Sequence, residues 1–264
     1  MNTLQAILIA IIEGLTEFLP ISSTAHMVIT SSIMHIESDD FTKYFEICIQ
    51  FGAILSVVVL YFKKFLDFKN PKFYIKLILA IIPSLVFGFL LNDFIDSKLE
   101  SPLFIAIVMI VGGVLLLFVD RLFQNPTIHH ERNIDNRLAL KIGLFQCLAI
   151  VFPGLSRSAA TIIGGMSQKV SRDTAAEFSF FLAVPTMFAA TAYKTLKYIK
   201  VNGMFNAHQC ITLTIGNAVA FIVALFAIKF FIQFVKENGF KLFGYYRIVL
   251  GAAVIILIAV GVIK

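Results

Sequence analysis

Residues 13 to 26, Glu-Gly-Leu-Thr-Glu-Phe-Leu-Pro-Ile-Ser-Ser-Thr-Ala-His, place two carboxylates, a proline, three hydroxyls and an imidazole inside a stretch flanked by apolar residues. Glu13 and Glu17 are four apart and share one helical face, where like charges repel unless a cation or a proton comes between them. Pro20 removes a backbone donor and ends that helix, and Ser22, Ser23 and Thr24 follow as natural caps for a second short helix carrying His26. Ser23 and His26, three apart, lie on one face of this second helix. The imidazole could take the seryl proton, or could itself be a nucleophile; the residues alone leave that choice open. The plainer alternatives are hydroxyls that only cap and a histidine satisfied in a core.

A second stretch, Phe-Pro-Gly-Leu-Ser-Arg-Ser-Ala-Ala-Thr at 152 to 161, supplies the complementary charge. Pro153 breaks a helix, Gly154 permits a tight turn, and a new helix begins near Ser156 and Arg157 with its free amides aimed at the break, an arrangement that attracts anions. Arg157 adds a guanidinium fork suited to phosphate, and Ser156, Ser158 and Thr161 add hydroxyls. The competing use of Arg157 is a structural ion pair with Glu13 or Glu17. If a phosphate is held there, Glu13 and Glu17 together could hold a divalent cation that neutralises its oxygens, because hard cations prefer carboxylates. Glu46, four residues before Gln50, and Glu177 could line the same cavity or simply sit well at helix N-termini, the latter preferred for Glu177. His129 and His130 could bind metal, but an exposed loop pair is more often solvated.

The elements that must position these groups belong to a membrane. Of 264 residues, 59% are hydrophobic and 14% charged, with mean hydropathy +0.89, which ordinary soluble domains do not reach. The N-terminus lacks a basic region and a small-residue cleavage site, so no cleaved signal peptide is expected. Cys48, Cys147 and Cys210 each lie alone in apolar sequence, as packing residues. Six segments, at roughly 45 to 63, 74 to 92, 103 to 120, 175 to 194, 211 to 231 and 244 to 263, are long enough to span. Two further regions, 3 to 35 and 138 to 168, are cut by Pro20 and Pro153 into pieces too short to cross. They read as re-entrant helical hairpins. The expected fold is therefore an all-α polytopic membrane protein with six spans and two re-entrant hairpins.

An ungapped shift of 133 positions aligns Glu13 with Gln146, Pro20 with Pro153 and Ser23 with Ser156, and with a small gap Glu46 meets Glu177. The chain thus divides into two repeats, about 1–120 and 138–264, each a hairpin followed by three spans. Three crossings invert the second repeat relative to the first and place a shared site between them. Fourteen Lys and Arg, among them Lys76 and Arg247, fall on one side against six on the other, Lys98 and Lys264 included. The positive-inside rule makes the first side cytoplasmic, so the first hairpin opens to the outer face. Net charge is +6, but the basic residues lie in short loops between spans and give no nucleic-acid footprint.

The two motifs resemble those of the bacterial undecaprenyl-diphosphatases, the bacitracin-resistance family. The similarity continues through Phe45 to Gln50, Phe145 to Cys147 and Ala175 to Pro185. Ala25 and Ala159 stand where glycine is also familiar in that family. The resemblance implies a multi-pass enzyme of the bacterial cytoplasmic (inner) membrane, and the positive-inside count puts its cleft toward the outer, periplasmic face. It would hydrolyse undecaprenyl diphosphate to undecaprenyl phosphate and inorganic phosphate, recycling the lipid carrier of peptidoglycan synthesis and conferring bacitracin resistance. By motif position the functional set is Glu13, Glu17, Ser23, His26, Ser156, Arg157 and Thr161, with a divalent cation, Mg2+ or Ca2+. Gly154 and Ser158 join the expected phosphate cradle. The expected partners are the membrane and a polyprenyl diphosphate lipid, with a homodimer as one assembly to test and no nucleic acid. A polyprenyl-phosphate flippase built on the inverted repeat is the runner-up; an ion channel finds no ring of charge or carbonyl motif to support it.

Overall fold

A computed structural model describes residues 1–91 and 101–263. Two of the lysines counted for orientation, Lys98 and Lys264, lie outside the described residues. The described chain forms helices and no strands; its one β-bridge joins Ile128 to Val170. The first half comprises α1 (Thr3–Thr16), α2 (Ser23–Ile33), α3 (Asp40–Leu60), the single turn α4 (Phe62–Phe65), α5 (Pro71–Leu90) and α6 (Pro102–Leu122). A 3-10 turn at Glu131–Asn133 leads to the second half: α7 (Asn136–Val151), α8 (Arg157–Ser167), α9 (Arg172–Asn202), α10 (Ala207–Asn238) and α11 (Lys241–Ala259).

Among the described residues, helices α3, α5, α6, α9, α10 and α11 are the six long enough and apolar enough to cross a membrane. At 1.5 Å per residue, α9 and α10, with 31 and 32 residues, reach about 48 Å and extend beyond a hydrocarbon core of about 30 Å. They run further than their apolar runs because nothing stops them until Gly203 and Gly239, both at positive φ. The hairpin helices are shorter: α1 has 14 residues, α2 11, α7 16 and α8 11. Both hairpins are broken at the prolines the sequence marks.

Helix α1 leaves its own half to pack on α10, and α7 packs on α5, while the first spans α3 and α9 meet, as do the third spans α6 and α11. Phe18, Phe178, Phe180, Phe181 and Phe231 fill the main core beneath the first break. Two residues counted as loop charges prove to be interior. Lys76 lies within α5 and bonds Glu131 Oε1 at 3.0 Å and the Glu131 carbonyl at 3.1 Å, pinning the connection between halves. Arg247 lies within α11 and is fully buried; a charge there reports an internal task, not a side of the membrane.

Candidate active site

The two breaks are built alike. Ser22, with φ 70°, caps α2 by accepting the Ala25 amide at 3.4 Å, and Ser156, with φ 76°, caps α8 by accepting the Ala159 amide at 3.3 Å. The cap in each case sits in left-handed backbone that a serine tolerates only where surrounding structure demands it. The matching residues are thus Ser22 with Ser156, and after them Ser23 with Arg157. The ungapped alignment of Ser23 on Ser156 is off by one, because the second break holds one more residue between proline and cap. That residue is accommodated by Gly154 at φ 97°, where a Cβ would stand 2.8 Å from the Ile105 carbonyl oxygen.

Ser23 and Arg157, each the first residue of its helix, converge on one carboxylate. The Ser23 hydroxyl donates to Glu17 Oε2. Arg157 Nη2 donates to Glu17 Oε1 at 3.0 Å, and its Nη1 donates to the Ser179 carbonyl at 3.0 Å. Arg157 Nε is buried without a partner among the described residues. A buried ion pair broken on one side leaves an uncompensated charge, so Glu17 and Arg157 hold each other in place.

Glu13, one turn before Glu17, is 0% exposed. Its carboxyl lies beside Glu17 and Ser23, and neither of its oxygens has a donor among the described residues. Two orphaned, buried oxygens next to a second carboxylate match the donor chemistry of Mg2+ or Ca2+. No group of three or more His, Cys, Asp or Glu among the described residues could hold a metal; Glu13 and Glu17 are a group of two.

A cavity of about 620 Å3 opens on Glu17, with Glu13 behind it and outside the lining. Its polar end is Glu17, Ser22, Ser23, Thr24, Gly154, Ser156 and Arg157; its apolar wall includes Leu85, Phe89, Ile150 and Met187. A second cavity, of about 560 Å3, shares Thr24, Ile47, Gln50 and Lys194 with the first and continues past Glu37, Asp40, Lys43, Glu46 and Lys197. Glu177, in contrast, bonds Tyr61 at 3.4 Å and lines neither cavity.

Three of the expected site residues are placed differently from the sequence reading. His26 does not meet Ser23: its Nδ1 bonds the Ser22 carbonyl at 2.7 Å and its Nε2 the Tyr246 hydroxyl at 2.7 Å. A carbonyl only accepts, so Nδ1 carries a proton, and Nε2 is engaged by the tyrosine hydroxyl. Three-residue spacing put His26 on the right face, but the α2 cap and α11 claim the ring. Ser158 is 1% exposed and donates to the Leu19 carbonyl at 2.9 Å, while Ser156 lies 2.9 Å from it. It ties the two breaks together. Thr161, 0% exposed, donates to the Arg157 carbonyl at 2.9 Å and stands 2.7 Å from the Ser179 hydroxyl. It braces the residue that orients Arg157. Neither Ser158 nor Thr161 lines the cavity.

Sequence reasoning missed Ser179, whose carbonyl steers Arg157, and the Tyr246-Arg247 pair. An arginine inside the apolar run of α11 was the available signal.

A family model described as bacitracin resistance protein BacA matches residues 6–253. The chain is 58% identical over 258 residues to the undecaprenyl-diphosphatase of Flavobacterium johnsoniae, covering 97% of this chain and 96% of that protein. It is 52% identical over 280 residues to the undecaprenyl-diphosphatase of Porphyromonas gingivalis, covering 99% of each. The undecaprenyl-diphosphatase of Aquifex aeolicus is 44% identical over 253 residues, covering 95% of this chain and 96% of that protein.

Proposed function

The chain belongs to the BacA family of bacitracin resistance proteins, and from that premise we infer that it is the membrane enzyme that hydrolyses undecaprenyl diphosphate to undecaprenyl phosphate and inorganic phosphate. A flippase is not favoured. The observation that carries the site assignment is the convergence of Ser23 and Arg157 on the two oxygens of Glu17.

In this reading the lipid tail lies along the apolar wall, where each buried methylene contributes about 0.8 kcal/mol. The terminal phosphate sits between the free Arg157 Nε and the amides that open α2 and α8. Ser23 is the nucleophile and Glu17 its base. As the seryl proton passes to Glu17, the Ser23 oxygen bonds the terminal phosphorus and the anhydride bond breaks, its electron pair leaving on undecaprenyl phosphate. Glu17 then releases its proton to cavity water, takes one from an attacking water molecule, and returns it to Ser23 as inorganic phosphate departs. Ser179 and Thr161 keep the Arg157 fork aimed throughout. Glu13 and Glu17 would hold Mg2+ or Ca2+, which when bound offsets their paired negative charge and that of the phosphate. His26, hydrogen-bonded to Tyr246, serves to fix the start of α2.

The two halves act as inverted repeats, supported by the exchange of α1 and α7 onto spans of the opposite half. The cleft faces outward, supported by the lysine- and arginine-rich loops on the opposite side.

Purified protein in detergent tests the assignment. Phosphate release from undecaprenyl diphosphate is expected to be lost in Glu17→Gln, and acid quenching is expected to trap phosphate on Ser23 in the wild type and none in Ser23→Ala. Wild-type turnover by Glu17→Gln would overturn it.

A further inference from the structure

Arg247 is 0% exposed and spends all five of its N–H donors on main-chain carbonyls. Nη1 donates to Pro20 at 3.1 Å and Leu155 at 2.7 Å, Nη2 to Gly154 at 2.9 Å and Val108 at 3.5 Å, and Nε to Met109 at 3.2 Å. Pro20 lies in the first break; Gly154 and Leu155 lie in the second. Carbonyls freed by a broken helix need a donor at membrane depth, where water is scarce. One planar fork supplies it to both breaks at once, which a point charge of fixed reach does not. Helix α6 is cut away to admit the fork: a Cβ at Gly112 would stand 2.4 Å from Nη2 and 3.0 Å from Cζ.

The catalytic contacts hang from the same two loops. Ser23 follows Pro20 by three residues and Arg157 follows Leu155 by two, so the spacing of the loops fixes how both reach Glu17. We propose that Arg247 is a positioning residue for the hydrolysis: its guanidinium holds the two helix breaks in one register, and that register sets the Ser23–Glu17–Arg157 geometry. Arg247 lines neither cavity and acts through the loops. The proposal rests on the site assignment made above.

The test is steady-state hydrolysis of undecaprenyl diphosphate by the monodisperse fraction of purified wild type, Arg247→Lys, Arg247→Met, Gly112→Ala and Glu17→Gln. Misplacing reacting groups by about 1 Å lowers turnover on the order of a hundredfold. The tail that dominates binding is untouched. Arg247→Met is therefore expected to lose kcat on that order with KM changed less than about threefold, and Arg247→Lys to recover part of the loss. Gly112→Ala, which crowds Nη2 and leaves the arginine present, is expected to lower kcat in the same way. If Arg247→Met yields no folded protein, the lysine and Gly112 variants decide the matter. Wild-type kcat in folded Arg247→Lys and Gly112→Ala, with Glu17→Gln inactive, would overturn the role of Arg247 and spare the site. Full activity of Glu17→Gln would overturn the site and with it this proposal.

Discussion

Glu17 carries more of the site than any other single side chain, since one oxygen takes the Ser23 proton bond and the other the Arg157 fork. Removing a positioned base lowers turnover by about 10^2- to 10^4-fold. Ser23→Ala is expected to fall at least that far in a phosphate-release assay, whereas His26→Ala, whose ring faces Tyr246, is expected to fall less. Equal losses in the two would count against Ser23 as the sole nucleophile and reopen the choice between it and His26. Neither Glu13 oxygen has a donor among the described residues, which suits the proposed cation. Chelation is expected to abolish hydrolysis and added Mg2+ or Ca2+ to restore it, with Glu13→Gln demanding more metal for half-activity. At this scale the sequence was legible in kind and less so in role. The motif residues all cluster at the two breaks, yet Ser158 and Thr161 face inward, where the Leu19 carbonyl and the Ser179 hydroxyl engage them.

The broken helices were readable from Pro20 and Pro153, since proline fixes both the missing donor and the stop. What secures the breaks was not. Gly154 at φ 97° faces the Ile105 carbonyl, so Gly154→Ala is expected to destabilise the protein by about 1–3 kcal/mol, seen as a lower unfolding temperature in detergent. Arg247 was read as a loop charge because one segment, though it shows an arginine in an apolar run, does not reveal carbonyls supplied by three others. The adjacent Tyr246 and Arg247 illustrate why: consecutive residues on α11 diverge around the helix, one to His26 and one to both breaks. Helix α5 contributes an opening instead of a contact. A Cβ at Gly88 would meet nothing within 4 Å, and the residue lies on the cavity wall. Gly88→Trp is expected to raise KM for undecaprenyl diphosphate several-fold more than for farnesyl diphosphate, measured side by side.

Across the whole molecule, six spans and two hairpins were legible because hydropathy and helix length are properties of contiguous sequence. The pairing of α1 with α10 and α7 with α5 was not, since apolar faces do not announce their partners. With the native cysteines replaced, Ser38→Cys is expected to react with a membrane-impermeant thiol reagent added outside intact cells, and Asn125→Cys only after permeabilisation. The opposite pattern would reverse the orientation. The two cavities meet at Thr24, Gln50 and Lys194, and this junction has a consequence for how the products leave. Under the proposed reaction, the lipid product can remain against the apolar wall of the first cavity while phosphate leaves past Lys43 and Lys197 of the second. The two products then need not share one exit.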